Sequence, residues 1–169
     1  MAKVTTSILI ATALLATAAC SKKRPAVIPP APSDTAPVDP NAGSNGAITP
    51  GSRADFERSV TSNTVNFALD SYDIDGRART ILDSQAAWLA KYPNVTVSLE
   101  GHCDERGTRE YNLALGDRRA NSAKNYLAAR GVAAGRISTI SYGKERPIAL
   151  GSDDASLAQN RRAVTIVLN

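Results

Sequence analysis

The chain has 169 residues, 20 of them Lys or Arg against 16 Asp or Glu, with 43% hydrophobic and 5% aromatic content, nine prolines, two cysteines and one histidine. That length holds one ordinary domain with extras rather than two. Two cysteines and no C-x-x-C pair exclude a disulfide-stapled miniprotein, a zinc knuckle and a thioredoxin-type motif, and any disulfide must join Cys20 to Cys103. Residues 63–169 carry 14 basic and 12 acidic side chains of alternating sign, and the whole chain has one Trp and two Phe. With neither a basic stripe nor stacking platforms, the composition argues against nucleic acid as a partner.

Residues 1–19 begin with Lys3 and continue through the apolar run Ser7-Ile8-Leu9-Ile10-Ala11-Thr12-Ala13-Leu14-Leu15-Ala16. This is the length of a secretory signal, too short to span a bilayer. Two cleavage points fit: after Ala16-Thr17-Ala18, or immediately before Cys20 in Leu15-Ala16-Thr17-Ala18-Ala19-Cys20. The second resembles a bacterial lipobox, with Thr17 standing where Leu is usual; that resemblance implies lipidation of Cys20. Ser21, by the sorting rule of enteric-type lipoproteins, implies the outer membrane. From Lys22 to Ser62 the chain holds seven of the nine prolines among Ala, Ser, Gly and Asn. Such a segment cannot bury enough apolar surface to fold and is expected to be a disordered tether. Extended at about 3 Å per residue, it could reach on the order of 100 Å from an acyl anchor. The expected organisation is a leader over 1–19, a lipidated tether over 20–62 and a folded domain over 63–169.

Thr64-Val65-Asn66-Phe67-Ala68-Leu69 alternates polar and apolar residues, which predicts a half-buried strand running into the polar loop Asp70-Ser71-Tyr72-Asp73. Residues 77–92 place Ile81, Leu82, Gln85, Leu89, Ala78 and Ala86 at helical spacing, with Asp75 as N-cap and Pro93 just beyond the end. Val95, Val97 and Leu99 alternate with Thr96, Ser98 and Glu100 in the clearest strand. Residues 108–130 form the next predicted helix, with Tyr111, Leu115, Ala123 and Leu127 as its buried stripe and Gly131 as its stop. A strand over 136–142, a short helix over 153–160 and a last strand over 163–168 complete the order β-α-β-α-β-(α)-β. The expected fold class is α+β, a mixed sheet with helices packed on one face.

The densest polar cluster, Glu100-Gly101-His102-Cys103-Asp104-Glu105-Arg106-Gly107, lies at the C-terminal end of that clearest strand, where binding crevices are frequent. Adjacent strand residues face opposite ways, so His102 cannot serve as base to the Cys103 thiol. A metal reading through Glu100, His102 and Asp104 lacks a second histidine; the plainer expectation is that His102 hydrogen-bonds within the fold and Cys103 is a small buried hydrophobe. Asp104, opening a loop before a helix, can be held out to a cation. On the following helix Asn112, Leu115 and Arg119 share a face that starts beside that loop. A carboxylate and a guanidinium converging in this way complement a zwitterionic amino-acid end.

The run from Glu100 to Thr108, followed by Tyr111-Asn112, Gly116-Asp117-Arg118-Arg119-Ala120-Asn121, Ser141-Tyr142-Gly143-Lys144-Glu145-Arg146-Pro147 and Gln159-Asn160-Arg161-Arg162-Ala163-Val164, resembles the OmpA-like C-terminal domain family, and in particular its lipid-anchored members. Gly116 and Ala123 depart from the Ser and Val usual there, and Cys103 from Thr or Ala. The resemblance implies that Asp104 and Arg119 grip the ammonium and carboxylate of diaminopimelate in a peptidoglycan stem peptide, with Asp70, Arg106, Leu115 and Asn112 lining the same pocket. It further implies no cofactor and no catalysis. The implied partners are peptidoglycan, the outer-membrane lipid leaflet through acylated Cys20, and TolB with other Tol proteins, in envelope integrity and division. Two rivals stand beside this: a periplasmic hydrolase using Asp104 or Glu100 with His102, and an interaction module whose wall-binding pocket has decayed, Gly116 being the first sign.

Overall fold

The computed structural model describes residues 48–168. The expected leader, the Cys20 lipidation site and most of the expected tether therefore lie outside the described residues. Among those described, no helix is long and apolar enough to cross a membrane.

Eight helices and strands and one short 3-10 turn follow in chain order: α1 Arg53–Ser59, β1 Thr64–Asn66, α2 Gly76–Lys91, β2 Val97–His102, α3 Arg109–Ala129, a 3-10 turn Ala134–Arg136, β3 Ile137–Gly143, α4 Asp154–Asn160 and β4 Arg162–Val167. The four strands form one mixed sheet in the order β1-β4-β2-β3. β4 runs antiparallel to both β1 and β2, and β2 pairs in parallel with β3 through the long crossover that contains α3. The α+β class and the strand-helix order from β1 onward are as the sequence predicts.

Local chemistry explains the boundaries. The Asp75 side chain accepts from the Ala78 amide and starts α2, and Thr108 does the same for Tyr111 at the head of α3. Gly131, with φ of 94°, closes α3 in the left-handed conformation that glycine adopts without strain. The period-two pattern holds as read, with Val95, Val97 and Leu99 all buried, although the ladder itself begins at Val97 and continues through His102. β1 is shorter than expected and stops at Asn66, before the backbone turns at Asp70 (φ 58°).

Two expectations are corrected here. The tether does not extend to residue 62. Ser52 caps α1, the Phe56 ring is fully buried, and it meets Trp88 edge-on at 4.9 Å. The Trp88 indole N–H donates to Asp55 at 3.2 Å, which fastens α1 to α2. One aromatic side chain in a polar segment is enough to fold it when a matching partner waits on the domain. Tyr111, expected in the buried stripe of α3, is instead 46% exposed, and the stripe consists of Asn112, Leu115, Gly116, Arg119, Ala120, Ala123 and Leu127.

Gly116 sits on that stripe for a steric reason. A Cβ built on Gly101 of β2 would stand 1.8 Å from the Gly116 carbonyl oxygen, so sheet and helix backbones are in direct contact. A Cβ on Gly116 would meet the Ser141 hydroxyl at 2.4 Å, and that hydroxyl already donates to the Leu113 carbonyl at 2.7 Å. Glycine at these positions brings α3 down onto β2 and β3; its lower helix propensity is the smaller effect, about 1 kcal/mol against alanine. Gly101→Ala is accordingly expected to destabilise the domain by about 3 kcal/mol, the upper end for overpacking, because its obstacle is backbone. Urea unfolding checks this, and a change within about 0.5 kcal/mol, the range of surface substitutions, would contradict the close contact.

Candidate functional site

The end of β2, the loop that follows it, the start of α3, the loop after β1 and the head of β4 enclose a pocket of about 260 Å³. Leu69, Asp70, Cys103, Asp104, Arg106, Gly107, Tyr111, Asn112, Leu115, Arg119 and Arg161 line it. All six pocket residues expected from the sequence, Asp70, Asp104, Arg106, Asn112, Leu115 and Arg119, are brought together there.

Asp104 is 5% exposed and fully engaged. Its carboxylate accepts from the Arg106 amide at 3.2 Å, the Arg106 guanidinium at 2.7 Å and the Arg161 guanidinium at 3.2 Å. Burial alone would raise its pKa, but these hydrogen bonds outweigh that effect and hold the carboxyl below the usual Asp range.

Arg119 is fully buried on the α3 face. Its Nε donates to the Ser71 carbonyl at 2.8 Å, one Nη to His102 at 2.9 Å and the other to Ala68 at 3.2 Å, while its guanidinium lies 5.3 Å from the Phe67 ring centroid. Three of the five N–H groups of an arginine are thus spent on backbone carbonyls, and Arg119 is a wall of the pocket rather than an open fork. Burial lowers its pKa.

The remaining members divide by what they touch. Asp70, in its left-handed turn, accepts a short hydrogen bond from the Tyr111 hydroxyl. The Asn112 amide donates to the carbonyls of Arg106 at 2.7 Å and Thr108 at 3.0 Å, which clamps the loop. Lys144 ties down the same loop at the Glu105 and Gly107 carbonyls. Leu115 is buried and apolar against the pocket, and the buried Cys103 thiol donates to the Asn112 carbonyl at 3.3 Å. Burial pushes that thiol's pKa up.

Sequence reasoning missed Arg161 and the pocket role of Tyr111. Arg161 was visible only as half of an Arg-Arg pair before the last strand, with nothing local to say which of the two turns toward the Asp104 loop. Its Nε is fixed on the Phe67 carbonyl at 3.1 Å and Nη1 reaches Asp104.

His102 corrects an expectation. It is not among the pocket residues, and its imidazole does not hydrogen-bond within the fold: both ring nitrogens are buried without a partner. Its ring lies 5.5 Å from that of Tyr142, and Glu100 stands 3.8 Å from Nε2, beyond hydrogen-bond range. Desolvation, aided by the charges of Arg162 and Arg146, lowers its pKa to about 4. Among the described residues no group of three or more His, Cys, Asp or Glu could hold a metal ion.

The comparisons with known proteins fit this geometry. The OmpA family model matches residues 66–161. This chain belongs to the OmpA family. A curated peptidoglycan-associated lipoprotein of Rhizobium meliloti (strain 1021) is 50% identical over 153 residues, 90% of this chain and 82% of that one. Its namesake in Haemophilus influenzae is 43% identical over 164 residues, covering 97% and 98%. The crystal structure of the peptidoglycan-associated lipoprotein from Burkholderia pseudomallei superposes with a TM-score of 0.62 at 41% identity, over 63% of this chain and 91% of that one.

The His102 environment makes a prediction with a definite sign. A histidine whose folded pKa is about 4 against an unfolded value of 6.5 binds its proton more readily in the unfolded chain. Stability is therefore fully present above pH 6.5 and declines as pH falls toward 4, by as much as about 3 kcal/mol. His102→Phe, which keeps a ring against Tyr142, should remove most of this dependence. Urea unfolding at pH 7 and pH 4.5 checks it, and equal slopes for the two proteins would contradict a buried neutral imidazole.

Proposed function

We propose that this protein is a non-catalytic lipoprotein that binds peptidoglycan and holds the outer membrane to the cell wall. The single observation that carries this reading is the convergence of Asp104, Asp70 and three guanidiniums, Arg106, Arg119 and Arg161, in one pocket of amino-acid size. Such a mixture of fixed carboxylates and guanidiniums is matched by a side chain that bears both an ammonium and a carboxylate. The relatives named peptidoglycan-associated lipoprotein support the polymer as the ligand, and the diaminopimelate of its stem peptide has the required pair of charges. Asp104 accepts from the ammonium, Arg119 supports the carboxylate, and Asp70, Arg106, Leu115 and Asn112 shape the remainder. Cys20 carries the lipid in the outer-membrane leaflet, the polar stretch after it spans the gap, and TolB with the other Tol proteins engages the domain during envelope maintenance and division.

The hydrolase rival is weakened by its own residues: His102 and Glu100 are outside the pocket, and hydrogen bonds from Arg106 and Arg161 favour the ionised form of Asp104. The decayed-module rival is weakened at Gly116, where glycine serves close packing.

The deciding experiment is co-sedimentation of the full-length chain, purified in detergent, with diaminopimelate-type sacculi, with the supernatant assayed for released fragments. The wild type should pellet without release, and Asp104→Asn should bind at least about tenfold more weakly, the loss of one charge-assisted contact in a desolvated site. Release of fragments would favour the hydrolase, and no wild-type binding the interaction module. Because the Asp104 carboxyl lies below the usual range, it stays ionised on acidification, and binding should persist at pH 5 and fade only below about pH 4. Loss of wild-type binding already between pH 7 and 6, in protein still folded, would assign the ammonium to another group.

A further inference from the structure

Asp104 meets two arginines of different character. The Arg161 side chain is only 15% exposed and anchored by a second bond to Phe67, whereas the Arg106 side chain is 44% exposed and, among the described residues, its ion pair is with Asp104 alone. The loop backbone beneath Arg106 is held by Asn112, by Lys144, and by the Cys103 amide donating to the Gly143 carbonyl at 2.8 Å. The Arg106 guanidinium can therefore leave Asp104 by side-chain rotation while the pocket keeps its shape.

We infer that Arg106 is a specificity-determining residue: it covers the Asp104 carboxylate, and a ligand ammonium displaces it productively only when the ligand also brings a carboxylate for the released guanidinium. The inference rests on the wall-binding reading above and deepens it.

Charge decides the direction. The pocket sets three guanidiniums against two carboxylates. An ammonium arriving alone leaves four cations facing two carboxylates and breaks a 2.7 Å ion pair without replacing it. An ammonium and carboxylate on one carbon leave four facing three, and the freed guanidinium regains a partner of the kind it lost. Glu105 and Asp154 act on Arg106 only through space, so they do not substitute for that contact. Arg119 cannot take the whole carboxylate itself, since three of its N–H groups already serve Ser71, His102 and Ala68. A second cation is needed at the ligand, and the mobile one is Arg106.

The class of ligand so selected is a side chain ending in both charges, as in meso-diaminopimelate, over one ending in an ammonium alone, as in lysine. The test is calorimetric titration of the full-length chain in detergent with stem tripeptides ending in meso-diaminopimelate or L-lysine, which differ by that one carboxylate. The wild type should prefer the diaminopimelate peptide. Arg106→Ala, at an exposed side chain, should bind the lysine peptide about fivefold more tightly than the wild type does, the scale of a half-exposed ion pair no longer to be broken. It should bind the diaminopimelate peptide more weakly, so the preference falls about tenfold or more. An unchanged preference, or a parallel loss for both peptides, would overturn the exchange and leave wall binding standing. A wild type that binds neither peptide would overturn the wall-binding reading, and this inference with it.

Discussion

The buried guanidinium of Arg119 is the interaction on which the site depends. It projects from the middle of α3 and fastens the loop after β1, through Ala68 and Ser71, to the end of β2 at His102. A lone charge in a fully buried position would be costly by several kcal/mol, and here carbonyl dipoles and the face of Phe67 replace the lost water. Asp70 and the Asp104 loop, next to the segments so fastened, line one pocket. A lysine at 119 could not serve three carbonyls in fixed directions, since its point charge lacks the planar fork.

That guanidinium reaches its carbonyls only because α3 lies unusually low on the sheet. The Gly101 and Gly116 backbones touch, so the helix axis is set by main-chain contact rather than by side-chain bulk. Three residues farther along the helix, Arg119 then meets the His102 carbonyl, one residue beyond Gly101. Glycine at these two positions and arginine at 119 are one structural solution, and a substitution at either glycine would reach the pocket through the height of the helix.

Much of this was legible in the sequence wherever the signal was local. The Asp75 and Thr108 caps, the Gly131 stop, and the alternation of Val95, Val97 and Leu99 each follow from the chemistry of a few neighbouring residues. The convergence of Asp104 with Arg119 was legible too, since the helix face that carries Asn112, Leu115 and Arg119 starts beside the Asp104 loop. What escaped depends on partners distant in the chain. Phe56 looks like a stray aromatic until Trp88 is placed against it, and Tyr111 looks like core until Asp70, 41 positions earlier, takes its hydroxyl. Arg161 gains its role from Asp104, 57 positions away. The bare nitrogens of His102 were hidden for the converse reason, because the sequence shows which groups can hydrogen-bond but not which are denied a partner by packing.

The electrostatic direction of the pocket bears on what it can do. A general acid needs a carboxyl whose pKa is raised toward neutrality, so that a proton is present to give. Asp104 is moved the other way, because two guanidiniums and an amide stabilise its ionised form more than burial opposes it. Asp70 accepts a hydrogen bond from the Tyr111 hydroxyl. Both carboxylates stand in walls whose backbone is pinned by Asn112, Lys144 and Arg119. A carboxylate whose ionised form is favoured in this way suits the proposed hold on a ligand ammonium better than it suits proton donation.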